Sequence, residues 1–264
     1  MTTFNGSYLR LTGGAAFVAV LLTGASAFAD DTVLRQRIET RLTKAGLDQR
    51  GQIDVEVKDG AAVLSGFTVT LDAQRAAEKA AHKETKAVVN RIRVVPEKKN
   101  DAEVRKAVAA VILREPYYGV FDSVGIAVEQ GAVLLRGSVN RPWLKDALDN
   151  QVAQVAGVTR IQNEIDIQPT SLFDDRLRAQ LYRRIYGNGL FDRYAGLAIP
   201  PVRIIVVNGK VTLTGIVNSN VEKVVLGSIA NGVLAFKVDN QVQIESEMKK
   251  EPAAPAPASP SFVI

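Results

Sequence analysis

The sequence predicts an α+β fold built as three tandem α-β-β-α-β units, each a small three-stranded mixed sheet with two helices on one face. Three observations carry this prediction. Three segments open alike: Asp31-Thr32-Val33-Leu34-Arg35, Asp101-Ala102-Glu103-Val104-Arg105 and Asp174-Asp175-Arg176-Leu177-Arg178. Each is followed by a Gly-x-apolar-x-Leu-x-Gly stretch, bounded by Gly60 and Gly66, Gly131 and Gly137, and Gly209 and Gly215. Each unit then closes on apolar-x-Asn-x-apolar-x-apolar, around Asn90, Asn163 and Asn240. Agreement at so many offsets marks an internal repeat, and a repeat fixes the architecture before any single element does.

Within a unit, the opening Asp is read as a helix cap, and apolar residues follow at helical spacing. These are Leu34, Ile38 and Leu42; Val104, Val108 and Ile112; and Leu177, Leu181 and Ile185. Alternating strands come next, reaching turns at Asp59-Gly60, Gln130-Gly131 and Asn208-Gly209. Asp-Gly and Asn-Gly favour the φ > 0 conformations that two-residue hairpins require. The second glycine of each stretch is expected to end the return strand, where the chain turns tightly or another backbone approaches closely. Second helices are placed over residues 72–87, 142–155 and 221–230. The strand–helix–strand crossover that ends each unit should be right-handed, which puts both helices on one sheet face.

Composition narrows the function. The 264 residues hold 33 Lys and Arg, 28 Asp and Glu, one His and no Cys. Zero Cys removes disulfides, thiolate nucleophiles and thiolate metal sites together. No cofactor or metal is expected. A net charge of +5 is well short of the basic footprint of a nucleic-acid binder, and the basic residues are interleaved with acids. His82 stands on a polar helix with no nucleophile motif near it, so catalysis is not expected. Residues 1–29 read as a cleaved secretory signal peptide, with Arg10 before an apolar run and Ala27-Phe28-Ala29 as the cleavage site. The units are placed at 30–97, 98–169 and 170–248, and the Pro- and Ala-rich residues 249–264 as a disordered tail. The mature chain is expected to be soluble and exported.

The order of elements, the glycine-bounded hairpin and the Val-x-Asn-x-Ile closing strand resemble the BON domain of osmotically inducible and nodulation proteins of bacteria. The resemblance extends over almost all of residues 30–247, as three copies. The third departs most, with an insertion at 187–201 before its first strand. The resemblance implies no catalytic residues. It implies binding of phospholipid, notably anionic lipid, a location in the periplasm, either free or peripheral on a membrane, and a part in envelope protection under osmotic stress.

Aromatic and basic residues between the first helix and first strand, and at the second helix, are the candidates for such binding. They are Tyr117, Tyr118 and Phe121; Arg141, Trp143, Leu144 and Lys145; and Phe191, Arg193 and Tyr194. Tyr and Trp suit the headgroup level of a membrane, and neighbouring cations add attraction to anionic lipid. The alternative is that these aromatics close thin cores or make contacts between units. The clustered Arg176, Arg178, Arg183 and Arg184 are read equally well as a solvated helix face. The rival function is a protein-binding or chaperone-like envelope module. It would use sheet edges, or the apolar Phe262-Val263-Ile264 docked in a groove of PDZ type.

Overall fold

A computed structural model describes residues 16–96, 99–197 and 199–248. The chain divides into two compact units, Met1–Glu97 and Lys98–Ile264. Residues 1–15 of the expected signal peptide and the whole expected tail lie outside the described residues. Among the described residues, no helix is long and apolar enough to cross a membrane.

The first unit runs α1 (Ala16–Lys44), β1 (Gly51–Lys58), β2 (Ala61–Thr68), α2 (Leu71–His82), β3 (Val88–Asn90) and β4 (Arg93–Val94). β1 and β2 form the hairpin, while β3 and β4 both run parallel to β2 in one register. They are one closing strand interrupted at Arg91, whose N–H still donates to the Leu64 carbonyl at 2.7 Å. Residues paired across strands share a face. The face carrying Val55, Ala62 and Leu64 packs on Ile38 and Leu42 of α1 and on Ala73, Ala77 and Ala81 of α2. α2 stops at His82, short of the predicted 87.

The second unit holds two further copies. One is α3 (Asp101–Arg114), β5 (Ser123–Glu129), β6 (Ala132–Val139), α4 (Pro142–Val152) and β7 (Arg160–Ile167). The other begins with α5 (Leu172–Tyr186), a 3-10 turn (Gly189–Phe191) and α6 (Asp192–Ala195), which occupy the predicted insertion. It continues with β8 (Val202–Val207), β9 (Lys210–Val217), α7 (Asn220–Asn231), β10 (Lys237–Asn240), β11 (Gln243–Ile244) and α8 (Glu245–Met248). The middle strand of each sheet pairs antiparallel with its hairpin partner and parallel with the closing strand. Each copy is therefore the mixed sheet that the repeat predicts.

Three devices recur. The opening Asp does not cap its helix, contrary to the sequence reading. Its two carboxylate oxygens instead accept both N–H groups of the hairpin turn. Asp31 takes those of Asp59 and Gly60, Asp101 those of Gln130 and Gly131, and Asp174 those of Asn208 and Gly209, all at 2.7–3.0 Å. Both residues of each turn have φ between 49° and 76°, which aims the consecutive N–H groups at one acceptor. The caps are Asn100 on α3, in a full capping box with Glu103, and Ser171 on α5.

The closing Asn ties strand to helix. Its carbonyl oxygen accepts the N–H two residues on (Ile92, Ile165, Val242), while its amide donates to Glu78, to the Lys145 carbonyl or to the Lys223 carbonyl. The third device is the second glycine. Gly66, Gly137 and Gly215 lie inside β2, β6 and β9 rather than at their ends, with φ of 104°, 139° and 114°. A Cβ at any of them would meet a facing carbonyl oxygen at 1.9–2.2 Å. The close backbone approach, not strand termination, explains the residue.

The last two copies share a packed junction. The Ile204 N–H on the outer edge of β8 donates to the Val120 carbonyl at 2.8 Å, so the α3–β5 loop covers that edge. Val120 belongs to the core of the last copy, and Phe121 packs against it, 6.3 Å from the Tyr182 ring. Arg178 is buried here, contrary to the solvated-face reading, and donates to Asp175, Gln168 and the Val206 carbonyl. Gln168 in turn donates to the Phe121 carbonyl.

Burial raises the phenol pKa of Tyr118 and of Tyr186, although the guanidinium of Arg203 works against both shifts. A phenol harder to ionise in the folded than in the unfolded chain contributes stability that is full below its unfolded pKa and is lost as pH rises above it. Chemical denaturation of the wild type should therefore show stability falling above roughly pH 10, the ordinary tyrosine value. Tyr186→Phe should flatten that fall. An unchanged slope would contradict the burial account.

Candidate functional site

The α3–β5 loop is held from several sides. Glu115, buried at the end of α3, accepts the Tyr117 N–H at 3.3 Å and is bonded by Gln151. Asp122 accepts the N–H groups of Gly119 (2.8 Å) and Asn140 (2.7 Å), fastening the loop to the end of β6. Burial pushes the Asp122 carboxyl up, while the two backbone donors and then Arg141 and Arg203 pull it down. The Tyr118 hydroxyl accepts the Val124 N–H at 3.0 Å, and Arg203 lies 5.2 Å from that ring while donating to the Gly119 carbonyl.

So fixed, the loop turns its aromatics in two directions. Tyr118 and Phe121 face the junction. Tyr117 turns outward, 55% exposed, and meets Trp143, 46% exposed, edge-on with ring centroids 4.9 Å apart. Arg141 donates to the Tyr117 carbonyl at 2.9 Å and lies 5.4 Å from the centre of its ring. The result is a preorganised tip of two aromatic rings and a guanidinium, standing on the start of α4.

The other candidates stand elsewhere. Leu144, the next residue on α4, is fully buried in the core, and Lys145 is half-buried. Phe191 and Tyr194 are buried within the last copy. Tyr194 and Arg193 both bond the buried Glu222 of α7, which also accepts the Asn218 N–H at 2.9 Å. Of the ten aromatic, apolar and basic candidates, Tyr117, Arg141 and Trp143 are thus brought together at the surface. The turn glycines Gly60, Gly131 and Gly209 sit in the three clasped hairpins.

The repeats supply an internal comparison for the tip. The residue before the second helix is Thr70 in the first copy and Ser219 in the third, and each caps with its side chain. Arg141 holds this place in the second copy and makes no cap bond. Two positions later the first copy has Asp72, paired with Arg50 at 2.7 Å, where the second has Trp143. No cluster of three or more His, Cys, Asp or Glu residues able to hold a metal occurs among the described residues.

A family profile for the BON domain matches three stretches, residues 30–96, 100–169 and 174–246. The chain belongs to the BON-domain family. Its three BON domains coincide with the three α-β-β-α-β copies, and the exposed tip lies on the second. No curated protein matches. Solved structures with similarity include the C-terminal domain of CdsD, the structural protein of the Type III secretion system of Chlamydia trachomatis. That match has 14% identity and a TM-score of 0.24 over 79% of this chain and 96% of that one. Another is the periplasmic domain of the inner membrane protein PrgH of S. typhimurium, at 15% identity and a TM-score of 0.20 over 76% of this chain and 98% of that one.

Proposed function

We propose that this chain is an exported, non-catalytic envelope protein that holds to anionic phospholipid through the tip of its second BON domain. The observation that carries the reading is Arg141 in a capping position. Replacing a Ser or Thr cap typically costs about 1 kcal/mol. Arg141 gives up that cap for a bond to the Tyr117 carbonyl and a place against its ring, contacts that order an exposed tip rather than the core, and local rules are broken in this way at functional positions. What stands there instead is a cation beside two half-exposed aromatic rings, the composition of a headgroup-level anchor. A role in envelope protection under osmotic stress fits this chemistry.

Two substitutions separate function from folding. Arg141→Ser restores the cap used by the other copies. It should leave unfolding stability within about 1 kcal/mol of wild type, the regained cap offsetting the lost bond to the Tyr117 carbonyl, while weakening binding to phosphatidylglycerol vesicles. Trp143→Ala should weaken cosedimentation about tenfold or more, as expected from roughly 25 cal/mol per Å² of apolar surface removed from contact. Binding of the wild type should fall as salt is raised. Absence of vesicle binding by the wild type at low salt would overturn the reading, and capture of an envelope protein through the same tip would favour the protein-binding rival.

A further inference from the structure

The third BON domain carries an apolar corner that the first two lack. Phe173 in the first turn of α5 and Phe236 just before β10 stack with centroids 5.6 Å apart and planes 24° from parallel. Both rings lie over the hairpin turn, where a Cβ on Gly209 would meet Phe236 at 2.6 Å and Phe173 at 3.1 Å. Around them Leu172 and Leu234 point into water, 79% and 88% exposed, and Phe236 itself is 79% exposed.

The fold does not require these residues. Strand register places Lys86 and Thr159 where the third domain has Phe236, and Glu84 and Gly157 where it has Leu234. The clasping Asp, common to all three, places Asp30 and Asn100 at the position of Phe173. Two copies therefore close the same corner with polar or small residues.

The charge beside the corner selects the occupant. Lys210 and Lys237 are direct partners on neighbouring strands, next to Gly209 and Phe236 in sequence, and both are exposed. Among the described residues, neither enters a salt bridge. Arg176, also exposed, lies one turn along α5 from Leu172. A second copy docked about a two-fold axis would set lysine pair against lysine pair. A turn and two element ends make a protruding corner rather than a groove, which suits immersion better than a protein pocket.

We propose that Leu172, Phe173, Leu234 and Phe236 form a second membrane contact that dips below the headgroups of an anionic bilayer, with Lys210 and Lys237 on the phosphates. This rests on the proposal that the chain works at anionic lipid, but not on the Trp143 tip.

Because the chain has no Cys, Leu234→Cys offers a unique site for an NBD fluorophore, with Gln243→Cys at the far end of the closing strand as control. On vesicles containing phosphatidylglycerol, NBD at 234 should brighten severalfold and shift to the blue, while NBD at 243 should not. Phosphatidylcholine alone should give no response. Leu234→Ser with Phe236→Ser should weaken vesicle affinity about tenfold or more with an unchanged circular dichroism spectrum. If vesicles pellet the protein while NBD at 234 stays dark, the corner is not a membrane contact, although the proposed function stands. If added unlabelled protein brightens NBD at 234 without vesicles, the corner is a self-association surface and the inference falls. If nothing pellets, both readings fail. If NBD at 234 responds while Trp143 does not, the corner stands and the Trp143 tip falls.

Discussion

Asp174→Ala is expected to destabilise the second compact unit by about 3 kcal/mol, read as a drop in the urea midpoint with little change in slope. The Asp174 carboxylate is fully buried and accepts the Asn208 N–H at 2.8 Å and the Gly209 N–H at 2.7 Å. Removing it leaves two backbone donors without a partner, and the Gly209 donor is itself buried. A buried donor left unsatisfied costs about 1–3 kcal/mol, more where the lost acceptor is charged. The same substitution at Asp31 or Asp101 should cost less, because those carboxylates are only half-buried and water can replace them. Equal losses at all three positions would contradict this account of the clasp.

Gly215→Ala is expected to cost roughly 3–4 kcal/mol. At φ 114° the backbone is in a region that L side chains rarely adopt, and the new Cβ would stand 1.9 Å from the Pro201 carbonyl oxygen. Relief requires β8 and β9 to part at the very pair, Val202 with Gly215, that opens the hairpin. The control is Gly196→Ala, where nothing lies within 4 Å and the backbone has an ordinary φ. That substitution should stay within about 0.5 kcal/mol of wild type. A Gly215→Ala protein as stable as the control would mean the strands are not packed as described.

Both predictions concern features whose presence was legible in the sequence and whose roles were partly not. The threefold recurrence of Asp, glycine pair and Asn specified the element order, because hairpin turns and helical spacing are local properties. What each Asp touches is not local. A single Asp before an apolar run reads as a cap, and the structure instead gives capping to Asn100 and Ser171 one or three residues upstream. In the first two copies Asp and turn stand 28 and 29 residues apart, and the insertion at 187–201 stretches this to 34 in the third. That recurring pair was a signal for the clasp, since a carboxylate can serve two adjacent donors and a cap serves its own helix.

Arg178 shows a similar limit. Grouped with its arginine neighbours it looks solvated, yet it lies four residues after Asp174 and three before Leu181, both buried against the sheet. Helical spacing places it on the inner face, and its bonds to Gln168 and the Val206 carbonyl depend on a junction no local pattern reveals. The same junction separates Tyr118 from Tyr117. Adjacent aromatics in a loop are indistinguishable by type, and what divides them is the edge of β8 that the loop covers. The Phe173–Phe236 corner escaped the sequence reading because Leu234-Ala235-Phe236 runs into an apolar closing strand. Setting the three copies side by side, with Lys86 and Thr159 at the place of Phe236, would have singled it out.

The central claim is that the tip of the second BON domain meets anionic lipid, and Trp143 is the sole tryptophan of the chain. Its fluorescence can therefore be read in the wild-type protein. With vesicles of phosphatidylglycerol carrying bromine on the acyl chains, the account predicts strong quenching of Trp143, reversed by high salt and much reduced in Arg141→Ser. Trp143 emission that stays unquenched while the protein pellets with the same vesicles would contradict it.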